Sequence, residues 1–226
     1  MESVDLSDLA AGVLRQQRST PDLIADALRE AIVQGVFQEG QSLRQDEIAA
    51  QFGVSRIPLR EALRQLEAEG LVMLSPNRGA TVAVMSPEEA QEICEIRVAL
   101  EGLALQLAIP NLTEADLDKA AEILKKTGRE TDVGRWAKLN WEFHAVLYAA
   151  GDRPRLLSLI KTLHTNIDRY IRLQMAKMNY LEKSQHEHQQ LLEACRKGDS
   201  KAAVRLLKRH IETAGEQLVA YLQNGR

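Results

Sequence analysis

With 226 residues, 45 % of them apolar and 27 % charged, the chain can form one large domain or two smaller ones, and its composition is neither that of a disordered chain nor that of a membrane protein. No apolar run approaches the roughly 18 residues of a membrane helix, and MESVDLSDLAAG lacks the basic-then-apolar order of a signal peptide. Two distant cysteines, Cys94 and Cys195, make no disulfide framework, so a reducing cytoplasm is expected. The net charge of −3 excludes a general polycation, and residues 1–85 carry eight arginines, no lysine and twelve acids. Any nucleic-acid reading must therefore rest on where the arginines stand.

Aromatic residues are only 4 % and strand-like alternation is scarce, which points to helices. Residues 1–19 are polar and irregular and read as a flexible arm. Thr20-Pro21-Asp22 is a helix start, followed by an apolar face of Leu23, Ile24, Ala27, Leu28, Ala31 and Ile32 that Gly35 ends. Residues 36–43 read as a loop, and 45–52 as a short helix closed by Gly53. Ser55 is placed to cap a third helix running to about residue 69. LVMLSPNRGATVAV then reads as a hairpin turning around Pro76-Asn77-Arg78-Gly79. Ser86-Pro87-Glu88-Glu89 repeats the helix-start signature and marks a boundary, giving domains over 20–85 and 86–226. Beyond it the period is helical, with helices expected near 87–108, 114–129, 133–150, 154–178, 181–197 and 200–223. The fold class is therefore mainly α: an N-terminal winged helix-turn-helix and a C-terminal antiparallel bundle of six or seven helices.

In VSRIPLREALRQLEAEGLV, Leu59, Leu63 and Leu66 form a packing stripe. Arg56, Arg60 and Arg64 stack on another face at i, i+4 spacing. An arginine stripe beside Glu61, Glu67 and Glu69 is by itself most simply a solvated, salt-bridged face. Placed after two helices and a tight turn and before a winged hairpin, it becomes a reading helix for a DNA groove. Ser55 and the free N–H groups of the first turn can hold a phosphate. Arg56 or Arg60 can fork onto guanine O6 and N7. Arg78 and Gly79 suit phosphate or minor-groove contact at the wing tip.

LRQDEIAAQFGVSRIPLREALRQLEAEGLV with NRGATV resembles the DNA-binding domain of GntR-family bacterial transcription regulators over about residues 20–84. The resemblance implies a dimer on a short palindromic double-stranded operator. It also implies operator contacts from Arg44, Ser55, Arg56, Pro58, Arg60, Arg78 and Gly79. Some members carry an arginine contact inside the second helix, where this chain has Asp46.

The C-terminal helices hold all five histidines. Asn140 and His144 stand one turn apart on a face shared with Ala137 and Leu147. His188 lines up with Leu191, Leu192 and Cys195. His210 borders the stripe Val204, Leu207, Ile211 and Leu218, while His186 faces outward and His164 has no clear direction. Three helices thus each aim one imidazole inward. That set suits Zn²⁺, Ni²⁺ or a similar borderline cation, although any single inward histidine is more often a core residue bonded to a carbonyl. Arg97 intrudes on the stripe Ile93, Leu100 and Ala104 and requires an anionic partner, either Glu101 or a ligand carboxylate.

IRVALEGLALQLA, NWEFHAVLYAAGDRPRL, EHQQLLEACRKGDSKAA and His210 are similar to the FCD effector-binding and dimerisation domain of the FadR subfamily. In many members an Asp and three His bind a metal whose coordination a small carboxylate effector completes. His144, His188 and His210 match those histidines, and Asn140 stands where Asp is usual. The resemblance implies a cytoplasmic, homodimeric, ligand-responsive repressor taking a small organic or sugar acid, with no membrane partner. Alternatives are a metal-free bundle binding an acyl or thioester ligand and, in another class, a metal-dependent hydrolase. Against the hydrolase, the sequence has no HExxH run and no evident general base.

Overall fold

The structure, a computed structural model, describes residues 19–75, 79–177 and 180–224. The chain divides between Ala83 and Val84 into two units, each with its own core. The arm expected over 1–19 falls, apart from Ser19, outside the described residues, as does Arg78.

The first unit contains α1 (Thr20–Val33), β1 (Ser42–Leu43), α2 (Gln45–Phe52), α3 (Arg56–Ala68), β2 (Val72–Ser75) and β3 (Gly79–Val82). The α1 start is a capping box: Ser19 Oγ accepts from the Asp22 N–H and the Asp22 carboxylate accepts from the Ser19 N–H. The turn between α2 and α3 requires Gly53, whose φ of +65° caps α2 in the left-handed region that side chains disfavour. Leu59, Ala62, Leu63 and Leu66 of α3 are fully buried against Ile24, Leu28 and Ile32 of α1. Arg29 clamps Glu69 through two hydrogen bonds of 2.7 and 2.6 Å, tying α1 to the end of α3.

One expectation is corrected here. The loop before α2 contains strand β1, which pairs antiparallel with β3 (Ser42 opposite Thr81, Leu43 opposite Ala80), so the hairpin becomes a three-stranded sheet ordered β1-β3-β2. The cause is Leu43, 2 % exposed, which carries the chain into the core and onto the free edge of β3. Two residues are too few to show an alternating pattern.

The second unit contains α4 (Pro87–Ala108), a 3₁₀ turn (Ile109–Asn111), α5 (Glu114–Thr127), α6 (Val133–Ala149), α7 (Pro154–Lys177), α8 (Tyr180–Arg196) and α9 (Ser200–Asn224). Hydroxyl or carboxylate caps start α4, α5 and α6, from Ser86, Thr113 and Asp132. Phe143, Leu147, Ile160, Leu191, Leu207 and Ile211 centre its larger core. A second cluster joins Met85, Ile93, Ile167, Tyr170, Leu218 and Leu222.

α4 and α9 make the most extensive helix pairing of the unit. Gly215 permits their approach, because a Cβ there would lie 2.8 Å from Cys94 Sγ and 2.9 Å from Cys94 Cβ. In an exposed helix Gly→Ala gains about 1 kcal/mol, but overpacking costs about 1–3 kcal/mol. Gly215→Ala is expected to lower the urea midpoint of the purified chain, and Cys94→Gly in the same background to restore part of it. A midpoint raised by Gly215→Ala would contradict this close approach.

Candidate functional site

In the first unit, the polar groups of α3 divide into those engaged by the fold and those left outward. Glu69 is clamped to Arg29, and Glu67 accepts the Leu74 N–H at 3.2 Å. Two of the acids that could have neutralised the arginine stripe therefore serve the fold. Arg60 and Arg64 are exposed, make no ion pair with any described residue, and line a cleft with Gln45, Leu74, Ser75 and Gly79 between α3 and the sheet. Ser55 stands at the α3 N-cap position, but its hydroxyl makes no capping bond, unlike those of Ser19, Ser86 and Thr113. The sequence suggested that it would. Pro58 sits half-buried in the first turn of α3, and Ile57 beside it is 70 % exposed, an apolar side chain on the same end that sequence reasoning passed over. Arg44 precedes α2 and pairs with Glu47 at 2.9 Å, and Arg56 pairs with Asp46 at 2.5 Å.

In the second unit, α6, α8 and α9 each bring one ring to a common point. His144 Nε2 lies 3.1 Å from His188 Nε2, which lies 3.3 Å from His210 Nε2. A ligand atom from each of the three lies within 4.8 Å of the others. His144 and His188 are each 1 % exposed and His210 is half-buried. Asn140 is one turn before His144 on α6, and its Oδ1 is buried without a hydrogen-bond partner. His186 is exposed, as its helical direction indicated.

The outer sides of two rings are fixed by acceptors. Tyr148 donates its O–H to Glu101 Oε2 at 2.7 Å, so its oxygen can only accept from His144 Nδ1–H, 3.2 Å away. Glu187 Oε2 accepts from His210 Nδ1–H at 2.6 Å. A neutral imidazole carries one N–H, so with Nδ1–H engaged outward a neutral His144 or His210 presents a bare Nε2 lone pair to the common point. His188 Nδ1 is buried with no partner. A proton on His188 Nε2 satisfies one facing lone pair and leaves the other opposed; a proton on Nδ1 leaves all three lone pairs facing. Burial, reinforced by the neighbouring rings, holds His144 and His188 well below the ordinary imidazole value, so protonation of these two rings does not resolve the conflict between them. A cation at the common point would satisfy all three, and a donor set of three imidazoles fits a borderline divalent ion.

Arg97 has found the nearer of its two candidate partners. Its Nε donates to Glu101 Oε1 at 2.6 Å, and its Nη2 donates to His164 Nε2 at 2.7 Å. Burial alone would raise the Glu101 carboxyl. The Arg97 guanidinium outweighs that and holds it well below the usual carboxylate range. Burial and Arg97 both push His164 down, so it too is held neutral. Tyr148, Glu187 and His164 were not singled out as parts of this site by sequence. Tyr148 follows His144 at i+4 and was open to discovery by spacing. Glu187 reaches a ring on another helix, which no spacing reveals.

Residues 21–82 match the bacterial regulatory proteins of the gntR family, and residues 92–213 match the FCD domain. The chain is 30 % identical over 197 residues to the HTH-type transcriptional repressor GlaR of Escherichia coli (strain K12), covering 82 % of this chain and 90 % of that protein. It is 35 % identical to a solved GntR-family transcriptional regulator from Pseudomonas syringae pv. tomato DC3000, with a TM-score of 0.58 and coverage of 99 % and 97 %. It shares the fold of E. coli McbR/YncC, at 24 % identity, with a TM-score of 0.79 over 92 % of this chain and 99 % of that one. Among the described residues no helix is long and apolar enough to cross a membrane. The chain belongs to the GntR family of bacterial regulatory proteins, with an FCD domain after its reading unit, and is a DNA-binding transcription regulator rather than an enzyme.

Proposed function

We propose that this regulator is a cytoplasmic, homodimeric repressor whose FCD domain holds a divalent metal and a small carboxylate metabolite that releases it from a palindromic operator. The observation that carries the reading is the convergence of three Nε2 atoms while the Nδ1–H groups of His144 and His210 are engaged elsewhere. His144, His188 and His210 would hold the metal, with Asn140 Oδ1 as a fourth donor. The metal would supply a Lewis-acidic anchor for the effector carboxylate. Repression is supported by the likeness to the GlaR repressor.

On the DNA side, Arg60, Arg56 and the Ser55 end of α3 would enter the major groove, with Arg44 and the Arg78-Gly79 wing on the backbone. In the bundle, Tyr148 and Glu187 orient His144 and His210, as outer partners of metal-ligating histidines commonly do. Arg97 keeps Glu101 ionised and has Nη1 left for an effector oxygen. Each partner of a dimer reads one half-site, and half-site spacing is fixed. An effector that favours a different spacing of the two heads lowers operator affinity, and the operator lowers effector affinity by the same factor.

Calorimetric titration of metal-stripped protein with Zn²⁺ or Ni²⁺ is expected to show one site per chain. His144→Ala and His188→Ala should abolish it, and His186→Ala should leave it unchanged. Glu187→Gln is expected to weaken it about 10- to 100-fold while the chain stays folded. Absence of saturable binding in the wild type, with effector affinity unaltered by His188→Ala, would favour a metal-free bundle taking an acyl or thioester ligand.

The same rings set a pH dependence. Their values in the fold lie below 6.5, so below about pH 6.5 the unfolded chain takes up protons that the buried rings refuse. Stability of the metal-free chain is therefore full above that pH and declines as pH falls from 7 to 5. Urea midpoints across this range should show the decline, and His188→Gln should flatten it. A midpoint that rose on acidification would contradict burial of neutral rings.

A further inference from the structure

Asp46 lies in the first turn of α2 and Arg56 opens α3, on opposite sides of the Gly53 turn. Asp46 Oδ1 stands 2.5 Å from Arg56 Nε, with the two side chains 69 % and 67 % exposed. A pair so exposed contributes little to folding, and its place on the outer edge of the reading helix calls for another account. The contact is an ion pair at Nε without hydrogen-bond alignment, and the terminal Nη1–Nη2 pair makes no hydrogen bond to a described residue. That terminal pair is the fork that spans O6 and N7 of a guanine. A carboxylate here would repel a nearby phosphate, so it favours a place over the bases rather than over the backbone.

We infer that Asp46 is a specificity-determining positioning residue: it restrains Arg56 through their ion pair and presents the terminal guanidinium fork to a guanine in the major groove. The restraint removes rotamers of a long side chain before docking, which is expected to benefit the selected sequence by roughly 3- to 10-fold. Arg60 and Arg64 have no such restraint among the described residues. Asp46 stands where some family members carry an arginine that itself contacts DNA. In this chain α2 would act on the bases through Arg56.

The inference rests on Arg56 contacting a base, and the experiment separates the two ideas. Full-length protein selects a duplex from a randomised library. Affinities are then measured for that duplex, for versions with 7-deaza-dG at single positions, and for an unrelated duplex of equal length. In the wild type, one 7-deaza-dG position per half-site should weaken binding. Asp46→Asn should weaken the selected duplex about 3- to 10-fold while binding the unrelated duplex equally or more tightly, because it also removes a negative charge. Asp46→Glu should recover part of the selectivity, and Arg56→Ala should erase the 7-deaza-dG penalty. If Asp46→Asn and Asp46→Ala tighten both duplexes in the same proportion, Asp46 is only a repulsive charge and the inference is overturned. If Arg56→Ala keeps the full penalty, the base contact itself is wrong. Thermal melts of the variants confirm that each is folded.

Discussion

The bundle is organised around one buried negative charge. Glu101 is wholly excluded from solvent and still ionised, and a carboxylate in that position is tolerable only with strong partners. Arg97 supplies the charge, and the Tyr148 hydroxyl supplies a second hydrogen bond. Each partner is thereby fixed in its hydrogen-bonding role. Tyr148 must donate toward Glu101, so it accepts from His144 and sets that ring's tautomer. Arg97 must donate toward His164, so His164 accepts and stays neutral. Removing one member of such a pair commonly costs about 3–5 kcal/mol, because the other charge is left buried. The same interaction therefore holds α4 against α6 and α7 and aims the His144 lone pair at its neighbours.

The reading unit follows the opposite logic. Two of the acids of α3 are turned from the arginine stripe by structural duties: Glu69 on Arg29 and Glu67 on the Leu74 N–H. What remains beside the cleft is positive although residues 1–85 as a whole are acidic. A localised positive edge on a negative unit limits unspecific attraction to nucleic acid and leaves discrimination to the few side chains that reach the bases.

Much of this was legible in the chain, and the reason differs from one feature to the next. Capping residues and glycines act through neighbours three or four positions away, so Gly53 and Ser86 announced helix ends by local chemistry, while the first helix takes its cap from Ser19, one residue before the expected start at Thr20. Helical direction alone sorted His144 and His188 inward and His186 outward. It could not show that the inward rings meet, because that depends on how α6, α8 and α9 pack. The β1 pairing and the Glu187–His210 bond were hidden for the same reason, each joining residues whose relation exists only after folding. Ser55 shows the converse: the right residue at the N-cap position, with its hydroxyl turned to no helix donor.

Asn140 gives the proposed site its charge. A neutral amide at this position, with three neutral imidazoles, would leave a divalent cation uncompensated by its own ligands. Glu101 offers little compensation, since Arg97 already balances it. Glu187 is the remaining carboxylate of the cluster, and it stands on the outer side of His210 rather than at the common point. The inner side would thus be left positive by about one to two charges, in a medium where charges act more strongly than in water. A neutral metabolite could fill the space but could not satisfy that field. An anion with an oxygen free to approach the common point could, and this is the electrostatic ground for placing a carboxylate there.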